Sequence, residues 1–153
     1  MNKLKCANIA HLERKHKSVH KDYEYYKSEF VPRGYGEKSM VSLYEIPPLK
    51  SAYPHHYHCK NEETFYIISG EGLLKTPEGE KKVGPEDLIF FPANSAHKMT
   101  NTSKTEQLVY LDFDVIHDLD VAIYPDSNKI GIWGKGINKV YKLEEDVGYY
   151  DGE

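Results

Sequence analysis

The run Pro54-His55-His56-Tyr57-His58-Cys59-Lys60-Asn61-Glu62-Glu63 gathers imidazole and carboxylate groups in one short stretch. On an extended strand successive side chains alternate between faces, so His56 and His58 share one face while Tyr57 takes the other. His55 has the parity of Tyr57 and is expected to face outward. Asn61 and Glu62 turn the chain, which lets Glu63 return on a neighbouring strand with its carboxylate in reach of the same space. A second run, Phe91-Pro92-Ala93-Asn94-Ser95-Ala96-His97, sets another histidine at the start of a strand after a turn. Three neutral nitrogen donors and one anionic oxygen at a point suit one divalent transition metal per chain: zinc, nickel, iron, manganese or cobalt. The set contains no cysteine, which argues against a closed structural zinc site. Four protein donors leave a position open for water or substrate, as a catalytic metal requires. His56, His58, Glu63 and His97 are therefore the expected metal ligands, and no catalytic acid or base is assigned. A bare H-x-H is more often two histidines bonded to nearby carbonyls. Here it is followed by a glutamate, a glycine-containing hairpin and then P-x-N-x-x-H-x-x-x-N, a combination that seldom arises by chance.

Positioning these side chains requires a β scaffold. A chain of 153 residues, with 8 prolines and 11 glycines spread along its length, fits one domain with one core. It is long enough to fold without disulfide staples, and it has two cysteines. From about Met40 to Phe113 the sequence alternates β-branched and aromatic stretches with turn residues, the pattern of antiparallel strands. Strands are expected near Ser39–Glu45, Tyr53–His58, Glu63–Ile68, Gly72–Thr76, Glu80–Val83, Asp87–Phe91, His97–Asn101 and Gln107–Asp114. Ser69-Gly70-Glu71-Gly72 and Pro77-Glu78-Gly79 supply glycine for tight hairpins. Such a set closes into a barrel or a jelly roll, arrangements that dispose of exposed sheet edges. Val121–Tyr124 and Ile130–Trp133 read as further short strands, and residues 8–28 carry a weak helical pattern. The first 29 residues are predominantly basic and the last ten carry only acids, which reads as solvated termini.

Strand parity places Phe65 and Ile67 beside Glu63, and Met99 and Asn101 beside His97. The apolar members are expected to fill the barrel. Asn101 either supports a ligand histidine or closes a turn. Tyr44, Tyr53, Tyr110 and Asp112 are candidates for polar groups at the barrel mouth. Cys59 is expected to face away, and His11, His16, His20 and His117 lie outside the constellation.

These spacings resemble those of a single-domain cupin. The first cupin motif, G(X)5HXH(X)3-4E(X)6G, is matched by His56, His58, Glu63 and Gly70. The second, G(X)5PXG(X)2H(X)3N, is matched by Pro92, His97 and Asn101. Lys50, Glu86 and Asn94 stand where the motifs have glycine, and Asn94 is the mildest departure because asparagine tolerates a left-handed backbone. The tail Asp120-Val121-Ala122-Ile123-Tyr124-Pro125-Asp126-Ser127-Asn128-Lys129 also resembles the D-V-x-x-Y-P-D-S-x-K segment of a group of small cupins. The resemblance implies an all-β fold, a cupin double-stranded β-helix (jelly-roll barrel), with a short N-terminal helix or arm and a C-terminal extension. It divides the chain into an arm (1–36), a barrel (37–116) and an extension packing on the barrel (117–153). It also implies a homodimer paired through sheet edges and exchanged terminal strands.

A formal charge of -4 argues against a nucleic-acid partner, which draws on clustered lysine and arginine. No run approaches the roughly 20 apolar residues that span a bilayer, and the opening residues lack the apolar centre of a secretory signal, so no membrane partner and a cytoplasmic location are expected. The expected partner is a small-molecule ligand. Three functions compete: a metal-dependent isomerase or dioxygenase acting on a sugar derivative or an oxygenated organic acid, a binding or sensing module whose metal anchors its ligand, and a scaffold stabilised by the ion.

Overall fold

The computed structural model describes residues 3–144 and 146–153. Its strands are Arg14–His20 (β1), Tyr23–Val31 (β2), Ser39–Ile46 (β3), Tyr57–His58 (β4), Glu62–Ser69 (β5), Gly72–Thr76 (β6), Gly79–Val83 (β7), Leu88–Phe91 (β8), Lys98–Asn101 (β9), Leu108–Val115 (β10), Leu119–Tyr124 (β11), Lys129–Gly134 (β12) and Ile137–Lys142 (β13). Three sheets result, ordered β1-β2-β3-β10-β5-β8, β7-β6-β9 and β13-β12-β11-β4. This is an all-β jelly roll.

The helix expected within residues 8–28 is absent among the described residues. A single 3-10 turn spans Ile9–His11, with the Asn8 side chain accepting from the Ala10 amide at 2.9 Å. Residues 14–31 instead form the β1–β2 hairpin, and β2 pairs in turn with β3. Aromatic and β-branched residues suit a pleated, half-buried surface, and β3 offers one; pairing overrides the weak helical period. The N-terminal stretch from Arg14 is thus built into the main sheet, while every side chain of β1 stays exposed.

Alternate residues of β3, β5 and β10 point inward, giving a core of Tyr44, Ile46, Phe65, Ile67, Leu108 and Tyr110. Leu74, Val83 and Met99 from the three-stranded sheet close against them. Phe65 packs tilted against Tyr110 at 4.7 Å, and Tyr44 stacks on Tyr110 at 5.2 Å. Phe65, Ile67 and Met99 fill the interior as parity anticipates. Asn101 closes a turn: its amide donates to the Ile46 and Glu106 carbonyls at 2.8 Å, and its oxygen accepts from Ser103.

The strand expected at Tyr53–His58 shrinks to Tyr57–His58. Pro54 has no amide hydrogen for a ladder, and the preceding residues are held by the isolated bridges Ser51↔Thr100 and His56↔His97. Strand β13 had no counterpart in the sequence reading, because its side chains lie largely exposed and so show no buried alternation. The β5–β6 hairpin turns at Gly70, whose φ is +85°; a Cβ there would lie 2.8 Å from the Leu108 Cα. Glu86 and Asn94, at two of the motif's glycine positions, have φ of 73° and 68°, so the backbone keeps the shape that glycine serves.

Candidate metal centre

His56 and His97 are brought side by side by the backbone. Each amide donates to the other's carbonyl, at 3.1 Å and 2.8 Å, and the rings lie 4.9 Å apart. The turn before His97 is drawn to the same place, since the Asn94 amide donates to the His58 carbonyl at 2.7 Å. His58 lies on β4, which pairs with β11 through Ala122↔His58 and Ile123↔Tyr57. Its ring is 5.1 Å from that of His56, as expected for two side chains on one face. Glu63 enters from β5, between Phe91 of β8 and Asp114 of β10.

The hydrogen bonds at Nδ1 set the aim of all three rings. Nδ1 of His56 lies 2.8 Å from the Pro54 carbonyl, Nδ1 of His97 lies 3.0 Å from the Ser95 carbonyl, and Nδ1 of His58 lies 2.5 Å from Oδ2 of Asp120. Carbonyl and carboxylate oxygens only accept, so the ring hydrogen of each neutral imidazole sits on Nδ1 and the lone pair sits on Nε2. Nε2 of His97 is 2.9 Å from Oε2 of Glu63, and Nε2 of His58 is 3.8 Å from Oε1. With Nδ1 holding the hydrogen, Nε2 and Oε2 are two acceptors face to face, and Oε2 has no hydrogen-bond donor. A cation resolves that contact. The donor atoms of His56, Glu63 and His97 all fall within 4.8 Å of one another, while His58 lies outside that group and reaches only Oε1 of Glu63, at 3.8 Å. A space of about 20 Å³ bordered by His56, Glu63 and His97 is the size for one small occupant.

The electrostatics follow from this crowding. Burial pushes His56 down to about 4 and keeps it neutral. Burial also lowers His58, but the hydrogen bond to Asp120 and the charge of Glu63 outweigh it and raise the ring above its ordinary value. Burial would raise the Glu63 carboxyl, yet a proton on the His97 ring, which would turn the Nε2 contact into a hydrogen bond, and any positive charge on His58 hold it below the usual carboxylate range. Asp112 and Asp114, facing inward from β10, form a second acidic group with Glu63. Burial, then the charge of Asp114, pushes Asp112 well up; burial and Glu63 push Asp114 to about 6. One oxygen on each, Oδ1, is buried without a partner.

A cavity of about 190 Å³ opens onto these donors, walled by Tyr53, Tyr124 and Trp133 and flanked by Lys27 and Arg33. Tyr44 and Tyr53 share a hydrogen bond at 2.9 Å, and both line the cavity, as does Asp112. Tyr110 is sealed in the core beneath it. His55 does point away from the donors, but into a contact with Asp126 at 3.0 Å rather than into solvent. Cys59 also faces away, partly buried, and His11, His16, His20 and His117 are exposed. The sequence reading missed Asp114, Asp120 and Tyr124. Asp114 shares the parity of Asp112, and Asp120 opens the D-V-x-x-Y-P-D-S segment; those were the available signals.

Comparison with known proteins agrees with this fold. Residues 42–114 match the Cupin_2 family, described as "Cupin domain". An uncharacterized protein of Aquifex aeolicus is 29% identical over 80 residues, covering 48% of this chain and 66% of that protein. An uncharacterized protein of Methanocaldococcus jannaschii is 34% identical over 56 residues, covering 37% of this chain and 45% of its own length. The matched part of this chain thus spans less than two thirds of either relative. Among solved structures, a putative sugar phosphate isomerase from Acidithiobacillus ferrooxidans superposes with a TM-score of 0.79 at 27% identity over 91% of both chains. A cupin-superfamily sugar phosphate isomerase from Silicibacter pomeroyi gives 0.81 at 17% identity, over 96% of this chain and 98% of that one. A predicted oxalate decarboxylase from Thermotoga maritima gives 0.66 at 19%, over 74% of this chain and all of that one, 100%. At 17% and 19% identity the likeness is one of fold.

Proposed function

Residues 42–114 of this chain form a cupin domain, and from that premise we propose that the protein is a metal-dependent enzyme acting on a small polar molecule, with His56, His58, Glu63 and His97 holding one divalent transition metal per chain. The observation that carries this reading is the aim of the rings: each Nδ1 is committed to an acceptor, which turns the Nε2 lone pairs toward Glu63. Imidazole and carboxylate accept zinc, nickel, iron, manganese and cobalt alike. A divalent ion on those donors would supply Lewis-acid polarisation of a substrate oxygen.

The chain's own residues favour isomerisation of a sugar derivative or an oxygenated organic acid. Asp112 and Asp114 line the same cavity and place carboxyl groups where a substrate carbon or hydroxyl exchanges a proton. Lys27 and Arg33 supply positive charge at the cavity, which suits an anionic substrate, and Arg33 makes no ion pair among the described residues. Tyr53, Tyr124 and Trp133 offer flat faces to the C–H surface of a sugar. Two similar solved structures are described as sugar phosphate isomerases, one of them as putative, which supports testing that class first. A binding or sensing module would be favoured by a lumen closed with apolar side chains; this one carries titratable groups.

Assembly as a homodimer belongs to the same proposal. Strand register lines up Phe90, Thr64, Phe113 and Val41 across the outer face of the six-stranded sheet, with Leu88, Tyr66, Leu111 and Leu43 beside them. Leu88 and Phe90 are exposed, a band of the kind that marks an interface.

Protein purified without a metal-affinity step should contain about one equivalent of a first-row metal by elemental analysis. The loaded protein should convert a member of a panel of sugar phosphates, keto acids and diketones. A loaded protein that binds one panel member tightly and converts none sinks the enzyme reading in favour of the binding module.

A further inference from the structure

The three imidazoles are not held alike. His56 and His97 each give their ring hydrogen to a main-chain carbonyl two residues earlier, Pro54 and Ser95. His58 gives its own to a carboxylate 62 residues away, Oδ2 of Asp120. Asp120 is 1% exposed, and its other oxygen accepts from the Lys60 amide at 2.8 Å and the Asn61 amide at 3.3 Å. The same carboxylate therefore fixes the ring of His58 and the turn that leads to Glu63. Neighbours in the tail reinforce the site from the same side: Tyr124 stacks on His56 at 5.7 Å, and Asp126 binds His55 and Lys75.

We propose that Asp120 is a positioning residue of the metal centre, which locks His58 in the Nδ1–H tautomer, turns its Nε2 lone pair toward Glu63 and strengthens it as a donor. This rests on the metal reading above. A carboxylate hydrogen-bonded to a ligand imidazole fixes its orientation and raises its basicity, and removing such a partner weakens metal affinity about 10–100-fold. Asp120 differs from the two carbonyl partners in carrying a full charge and in being replaceable by mutation.

Asp120→Asn separates its two tasks, because an amide has a single acceptor oxygen. If that oxygen keeps the Lys60 and Asn61 amides, the NH2 group faces Nδ1 of His58 and forces the ring hydrogen to Nε2. The test pairs two readouts. Histidine ¹H–¹⁵N spectra of the metal-free protein, recorded at alkaline pH where the rings are neutral, should show His58 as Nδ1–H in the wild type and as Nε2–H in the variant. Competition with a chelator should show zinc bound about 10–100-fold more weakly by D120N, with the metal-free melting temperature nearly unchanged. Zinc affinity within about twofold of wild type, or a wild-type His58 carrying its hydrogen on Nε2, overturns the proposal. The wild-type spectrum decides the matter even if D120N fails to fold. Wild-type protein that binds no zinc overturns the metal reading and the affinity claim with it; the His58 tautomer then shows whether the orienting role of Asp120 has failed as well.

Discussion

Glu63 is the one anion among the expected ligands, and its replacement should remove cation binding while sparing the fold. An ion that binds only the native state stabilises it by about 2.7 kcal/mol at a concentration 100-fold above its Kd. Wild-type protein should therefore melt several degrees higher when zinc or manganese is added after chelation, and Glu63→Gln should show no such rise in a thermal-shift assay. His56 makes the complementary case for protons. Burial holds it down to about 4 in the folded chain against an ordinary value of 6.5, so the folded ring stays neutral where the unfolded one is charged. The stabilisation is complete above about pH 6.5 and is lost as pH falls toward 4. Because Asp114, pushed to about 6, titrates in the same window with the opposite sign, the His56 share is read as a difference: urea titrations of the chelated protein should show wild type losing on the order of 3 kcal/mol more than His56→Gln across that window. The meeting of His56, Glu63 and His97 was legible because parity and spacing within two short segments point to it. Asp120 was not, because nothing local in the sequence joins it to a histidine 62 positions earlier. Asn101 was legible only as two alternatives, since its turn depends on Ile46 from another strand.

Among the elements, the strands with one buried face were readable and those without were not. β5 and β10 alternate cleanly and were placed within a residue or two, as were the hairpins at Gly70 and Gly79. β1 has no buried residue, and β13 has none either, so neither carried a period-two signal. In β2 the buried residues, Tyr25 and Ser28, lie three apart, so residues 8–28 read as weakly helical. The motif's missing glycines give a test at this scale. Glu86 adopts φ of 73° on an exposed turn, a conformation that costs a side chain about 1–2 kcal/mol and glycine almost nothing. Glycine's greater freedom in the unfolded chain offsets part of that. Glu86→Gly should therefore stabilise the protein by about 0.5–1 kcal/mol, read as a higher urea midpoint at unchanged slope.

For the molecule as a whole, the apolar band on the outer sheet face is the feature with the largest measurable consequence. Phe90→Lys places a charge on β8, the edge strand of that face, on a side chain already 59% exposed in the single chain, so the fold should tolerate it. Sedimentation should give a dimer for the wild type and a monomer for the variant, with metal content the same in both; a wild-type monomer removes the dimer from the proposal. The overall jelly roll was legible from turn spacing and from the cupin-like motifs. The division of the strands among three sheets was not, because it depends on pairings such as β4 with β11 that join distant parts of the chain. That pairing has a consequence for biosynthesis. His58 lacks its flanking strand and its carboxylate partner until the segment from Leu119 to Tyr124 has left the ribosome. A nascent chain that has emerged only as far as His97 thus carries all four donor side chains with the His58 ring not yet held, and the pocket takes its final shape only when β11 docks beside β4.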